Sequence, residues 1–131
     1  MTNAVKLDEK QFELLNQYVG MLETIEEAFD YVTVSFTDIE KTEGDRVLAD
    51  VFEALGQVSE SNRMLGQMFE ERPDILSIMM KFVGVIDQAM ELNGHFQESN
   101  VKEEIVKGKL SPAFSAWRLE MDQVLKPLLN N

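Results

Sequence analysis

The sequence predicts an all-α protein, an antiparallel four-helix bundle with a short extra helix before the last helix, and three observations predict it. Between Ile75 and Leu92 the chain carries Ile75, Leu76, Ile78, Met79, Met80, Phe82, Val83, Val85, Ile86, Ala89, Met90 and Leu92, with only Lys81, Asp87 and Glu91 charged. A helix that is apolar nearly all round is buried or covered by a partner, so this segment is expected to be the central helix. Leu15, Tyr18, Leu22, Ile25, Phe29, Val32, Phe36 and Ile39 follow each other in alternating steps of 3 and 4, the heptad spacing of packed helices. Finally, Gly44, Pro73, Gly94 and Ser111-Pro112 divide the chain into segments of helical length.

The 131 residues and 44% hydrophobic content suit a single domain, residues 1–131, with a self-sufficient core. The first helix is expected from Lys6 or Leu7 to about Asp38, its seam widened by Leu14, Met21 and Ala28. Val32 to Thr37 also alternates with the period of a strand; helix is preferred because the heptad runs through it, and Val34 then points away from the seam. Glu40 to Asp45 is turn-like, with Asp45 as a candidate N-cap.

A second helix follows over about Arg46 to Glu71, with Leu48, Val51, Leu55, Val58, Asn62, Leu65 and Phe69 on its seam and Val47, Phe52 and Met68 beside it. Gly56, Ser59, Ser61, Asn62 and Gly66 are poor helix formers crowded together. They imply close helix approach and one polar contact fixing register; the functional alternative is a local break lining a groove. Pro73 suits the first position of the third helix, and Gly94 suits its C-terminal cap. Asn100 with Glu103 resembles a capping box before a short segment ended by Gly108. The last helix should start with Ser111 as N-cap and Pro112 at N1 and carry Phe114, Trp117, Met121, Val124, Leu125 and Leu128, with Leu110 just upstream. Pro127 should end or kink it, leaving a tail to Asn131.

A net charge of −12 excludes two partner classes. Nucleic-acid binding draws its affinity from Lys and Arg neutralising phosphates, and anionic membranes recruit the same residues. Residues 99–131 alone escape the acidic bias, with four acids against five bases. Such a surface suits a basic or amphipathic protein partner, or solubility alone. The absence of cysteine removes thiolate and disulfide chemistry and fits a reducing cytoplasm. The N-terminus has no basic stretch followed by an apolar run, so no secretory signal is expected. No apolar run approaches the roughly 18 residues of a membrane span.

Catalytic constellations are not recognisable. Asp87, Glu91 and His95 lie at i, i+4 and i+8, so on one helix they would share a stripe able to face a metal. His95 is the only histidine, and bundle metal sites pair Glu-x-x-His motifs from two helices, so no metal or other cofactor is expected. There is no Gly-x-Ser-x-Gly elbow, and the seven glycines are scattered singly. Glu23, Glu26, Glu27 and Asp30 form an acidic cluster whose like-charge i, i+4 pairs a cationic partner would relieve; a plain solvated face is the alternative. Eight methionines are many for this length; they fill irregular cores and also line adaptable binding grooves. Met80 lies off the main seam, and Trp117 is in register to anchor the last helix.

The run SPAFSAWRLEMDQVLKPLL, following an acidic helical body, resembles small uncharacterised helical proteins of Gram-positive bacteria. In size, charge and helicity the whole chain is similar to flagellar and secretion export chaperones. Neither similarity carries a functional residue onto this chain.

The expected function is therefore a non-enzymatic protein-interaction module: an adaptor, regulator or chaperone-like binder of a partner's helix. The partner would dock beside the third helix, with Val34 and Met80 as apolar contacts and Glu23, Glu26, Glu27 and Asp30 at an acidic rim. The alternatives are a homodimer burying the apolar face of the third helix and, behind it, a metal protein centred on Asp87, Glu91 and His95.

Overall fold

The computed structural model describes residues 7–129. The expected start at Lys6 and the final residues of the expected tail lie outside them. The chain forms an all-α bundle: α1 (Glu9–Ser35), α2 (Gly44–Met68), α3 (Pro73–Met80), α4 (Phe82–Met90), α5 (Ser99–Ile105), a π-helical turn (Val106–Leu110) and α6 (Ser111–Leu129). Four rods, α1, α2, α3–α4 and α6, surround one core.

Residue pairs give the arrangement. Tyr18 meets Asn62 and Tyr31 meets Glu43 across α1 and α2. Glu26 meets Ser115 and Arg118 across α1 and α6. Ile78 meets Trp117, and Glu91 meets Lys109 just before α6. Between α1 and α2 and between the third rod and α6 the numbers rise on one helix as they fall on its neighbour, and Phe29 against Phe114 with Glu26 against Arg118 gives the same sense for α1 and α6. α2 packs most extensively on α1 and only sparingly on α3 and α4, so that side of the bundle is its open side.

The α1 seam is buried from Leu15 through Val32, as the heptad required. Asp8 caps the helix: its carboxylate accepts from the Gln11 N–H at 2.7 Å, while the Gln11 side chain accepts from the Asp8 N–H at 3.1 Å. The far end differs from expectation. The helix stops at Ser35, so Phe36 is only half-buried and Ile39 is 89% exposed. Ser35 Oγ donates to the Val32 carbonyl at 2.5 Å, a side-chain bond that competes with the helix ladder. The N–H groups of Phe36 and Thr37 then bond three residues back, tightening the chain out of α-geometry. α2 begins at Gly44 with Glu43 as its cap residue. Asp45 is therefore not the N-cap but a first-turn residue.

The expected central helix is interrupted. Lys81 separates α3 from α4, its N–H bonding to the carbonyls of Ser77 and Ile78 and its own carbonyl accepting from Gly84 three residues on. Trp117 supplies the reason. Its indole N–H donates to the Ile78 carbonyl at 2.8 Å, a side-chain insertion of the kind that kinks helices. An aromatic chain joins three rods through this point: Phe29 to Phe114 at 5.5 Å, Phe114 to Trp117 at 5.9 Å, and Trp117 to Phe82 at 4.6 Å.

Two expectations for the C-terminal third are corrected. The Asn100–Glu103 capping box does not form: Glu98 is the cap residue of α5 and no side chain bonds there. Ser111 is not an N-cap, because α5 continues through the π-turn into α6 with Ser111 in helical geometry and its N–H bonded to Val106 five residues back. Pro112 has no N–H and its ring crowds the carbonyl four residues back; a wider turn just upstream relieves that crowding. Pro127 likewise fails to end α6, which runs to Leu129.

Two glycines give opposite predictions. A Cβ on Gly44 would collide with the Ser35 side chain, whereas one on Gly20, within α1, meets nothing within 4 Å. Gly44→Ala should destabilise by about 1–3 kcal/mol by prising α2 off the end of α1. Gly20→Ala should stabilise by about 0.5–1 kcal/mol. Urea unfolding of both variants checks the pair of signs.

Candidate functional site

The open side between α2 and α3–α4 forms a two-part concavity. One part, about 650 Å³, is walled by Ser59, Asn62, Arg63, Gly66 and Gln67 of α2 with Glu70 of the following turn, and by Leu76, Met79, Met80, Phe82, Val83 and Ile86 opposite. A second, about 490 Å³, continues from Ile86 past Phe52, Leu55, Gly56, Ala89 and Met90 to Gly94 and Phe96. Ile86 belongs to both, so the two form one apolar trough along α2.

The helices make this trough for local reasons. Ile75, Met79, Phe82, Val85, Ala89 and Leu92 fill the inward face of α3–α4. The surplus apolar residues therefore turn outward, with Met80 74%, Val83 64% and Met90 60% exposed. The central helix is thus not buried all round. On the opposite wall α2 is unbroken through its poor helix formers. A Cβ on Gly66 would stand 3.6 Å from the Leu76 side chain, in ordinary contact, and one on Gly56 would meet open space, so both glycines leave room in the wall. Asn62 accepts a hydrogen bond from the Tyr18 phenol at 2.5 Å. It is both the register contact between α1 and α2 and part of the trough wall.

The ends of the trough are pinned by polar contacts. At one end Arg72 donates to both oxygens of Asp74, at 3.0 and 2.8 Å. That hydrogen bonding holds the Asp74 carboxyl below the usual carboxylate range. At the other end Phe96 packs on Phe52 at 5.8 Å. Lys102, only 5% exposed, lies 5.3 Å above the Phe96 ring and donates to Asp45 at 2.5 Å. Its stem is buried and its ammonium is held by a ring face and a carboxylate.

The sequence-derived site residues do not converge. Met80 stands in the trough wall. Val34 is exposed near the end of α1 and lines neither part of the trough. Glu26 is occupied inside the bundle, accepting from Ser115 Oγ at 2.6 Å with Arg118 at 3.6 Å. Glu23, Glu27 and Asp30 are exposed on α1 and are not among the groups walling the trough. The Asp87–Glu91–His95 stripe does not form either. α4 ends at Met90, Gly94 turns the chain at φ 84°, Glu91 pairs with Lys109 at 2.8 Å, and His95 Nδ1 lies 3.0 Å from Glu98. Among the described residues no group of acids and histidine could hold a metal ion.

The family model described as a domain of unknown function, DUF8042, matches residues 13–120. The chain belongs to the DUF8042 family. The match runs from α1 into α6 and so includes both walls of the trough. No curated protein and no solved structure matches this DUF8042 chain. Among the described residues no helix is long and apolar enough to cross a membrane.

Residues the sequence did not single out as a site are Leu76, Val83, Ile86, Phe52 and Phe96. The available signal was the excess of apolar residues on the third helix facing the two glycines of the second.

Two measurements test the supports of the trough. Burial pushes the Tyr18 phenol up from its ordinary value. The fold favours the neutral phenol, so this contribution is intact below about pH 10 and is lost as pH rises further, where only the unfolded chain ionises freely. The phenolate absorbance assigned to Tyr18, by difference from Tyr18→Phe, should therefore appear together with loss of helical circular dichroism. Lys102→Ala should destabilise by about 1–3 kcal/mol through lost stem packing and lost pairing. Lys107→Ala, which removes an exposed pair with Glu103, should cost less than about 0.5 kcal/mol. Chemical denaturation of the two variants compares them.

Proposed function

We propose that this chain is a protein-interaction module that binds a helix of another protein in the trough between α2 and α3–α4, acting by binding and not by catalysis. The observation that carries the reading is the exposed row Met80, Val83 and Met90 beside a trough whose α3–α4 wall is apolar and whose α2 wall carries two glycines among polar residues. Isolated exposed apolar residues are ordinary, but a contiguous strip bordering a concavity marks an interaction surface. Methionine suits such a surface because its unbranched, polarisable side chain repacks around its partner.

A helix is the form of partner favoured by backbone chemistry. The trough walls are helices whose N–H and C=O groups are bonded internally, and the described residues contain no strand. A docked segment must therefore satisfy its own backbone, which a helix does. The cysteine-free composition supports a cytoplasmic setting. An adaptor, regulator or export-chaperone-like role fits this mode of binding.

The second reading is a homodimer through the same row, supported by the same exposed side chains. It would bring together two chains of net charge −12, whose mutual repulsion opposes association at low salt.

Pull-down from source lysate with matched variants tests the reading. Wild type should retain a stoichiometric partner, and Met80→Asp or Val83→Asp should lose it while helical circular dichroism stays unchanged. Val34→Asp should retain it, because Val34 lies outside the trough. Retention by the two trough variants would sink the proposal. A mass near twice 15.0 kDa that Val83→Asp halves would establish the dimer instead.

A further inference from the structure

Resting on the trough reading, we infer that the occupant is a basic amphipathic helix of about five turns, a cationic peptide segment and not a second copy of this chain. Three features of the trough specify it.

Its length is set by α2. From Phe52, packed on Phe96 at one end, to the end of α2 at Met68 the helical wall is about 24 Å long at a rise of about 1.5 Å per residue, and Glu70 in the turn just beyond extends it to about five turns. The two parts of the trough meet at Ile86. One is centred near Leu55 and the other near Arg63 to Gly66, so their centres lie on the order of 15 Å apart along α2. Large apolar anchors on the occupant therefore fall two to three turns apart, with smaller apolar residues between them.

Its charge is set by the rim. Glu70 lines the trough itself. Glu60 reaches the trough through its ion pair with Arg63. Glu53 stands one turn from Gly56, and Asp87 stands one turn from both Val83 and Met90. Against these four carboxylates the trough offers one guanidinium, that of Arg63, already paired. Asp87, Glu53 and Glu70 face solvent and have no ion-pair partner among the described residues. Carboxylates thus flank the apolar strip on both sides. A docking helix with Lys or Arg on either side of its apolar stripe would neutralise them.

A second copy lacks this complementarity. Its matching surface is the same strip with the same Asp87, so self-docking would set acid against acid. Four of the five cations of the C-terminal third are committed elsewhere: Lys102 to Asp45, Lys107 to Glu103, Lys109 to Glu91, and Arg118 between Glu26 and Asp122; the fifth, Lys126, stands on α6, which does not wall the trough.

The test uses the full chain and three labelled synthetic peptides of 18 residues, read by fluorescence anisotropy. One carries Leu at i, i+4, i+7 and i+11 with Lys on both flanks. A second keeps the stripe and replaces Lys with Glu. A third keeps the Lys count with the stripe scrambled. The striped basic peptide should bind at least about tenfold more tightly than either control, the order expected from several exposed ion pairs acting together. Its affinity should fall as salt rises. Val83→Asp should abolish binding, and Glu70→Lys with Asp87→Lys should remove most of the advantage over the acidic peptide, both variants keeping the wild-type circular dichroism. Equal binding of the two striped peptides would overturn the basic occupant and leave the trough as a docking site. Equal binding of the striped and scrambled basic peptides, or binding untouched by Val83→Asp, would overturn the trough as well. Absence of binding by all three up to millimolar concentration would overturn both.

Discussion

One hydrogen bond organises the open side of this bundle. The Trp117 indole N–H reaches the Ile78 carbonyl, and that carbonyl also accepts from the Lys81 N–H at 3.1 Å. A carbonyl held by a side chain from a neighbouring helix is drawn off the helix axis, and the ladder beyond it tightens. The third rod consequently divides at Lys81. Phe82 enters the core against Trp117, while Met80 and Val83, on either side of the break, remain in solvent. The core and the exposed strip are thus two results of one contact. A buried indole needs an acceptor, and here the acceptor comes from the backbone of the helix that it bends.

The same division governs the charges. Four of the five cations of the C-terminal third pair with acids away from the trough, Lys102 with Asp45, Lys107 with Glu103, Lys109 with Glu91 and Arg118 with Glu26, and Lys81 of the break pairs with Glu120. Lys109 is held charged above its usual range by its bond to Glu91. Exposed pairs of this kind contribute little stability individually, but they hold most of the positive charge of the C-terminal third away from the trough. The α2 wall and the outer edge of α4 are left acidic beside an apolar trough. Charge sign and apolar exposure therefore coincide on the face that α6 does not cover.

Much of the architecture was legible because helical periodicity is a local property. The α1 seam from Leu15 to Val32 and the α2 seam from Leu48 to Phe69 were readable from spacing alone, and all their apolar members are buried. Asn62 was readable as a register contact because a polar residue on an apolar seam needs a partner. The misread boundaries share a cause. The end of α1 at Ser35 depends on a side-chain bond and on the close approach of Gly44. The continuity of α5 into α6 depends on a π-turn that absorbs Pro112. Capping signals at Asp45, Asn100 and Ser111 were present in the sequence but go unused, because local preferences of this kind are weak. Of the candidate site, Met80 was readable as an apolar residue off the seam. Val34 and the α1 acids were not separable from the residues beside the trough, because sequence says which residues share a helix face and not which face meets which neighbour.

By itself the sequence determined that the chain is all helical, where its main apolar faces lie, and that it carries an excess of negative charge. These follow from composition and from a period of about 3.6 residues. Only the tertiary structure decided that α2 leans on α1 and leaves α3–α4 partly uncovered, that Glu26 is spent on α6, and that Asp87 and His95 part company at Gly94. The physical reason is that helix pairing is settled by side chains far apart in sequence. Trp117 with Ile78, Lys102 with Asp45, and Tyr18 with Asn62 are contacts that no local pattern encodes.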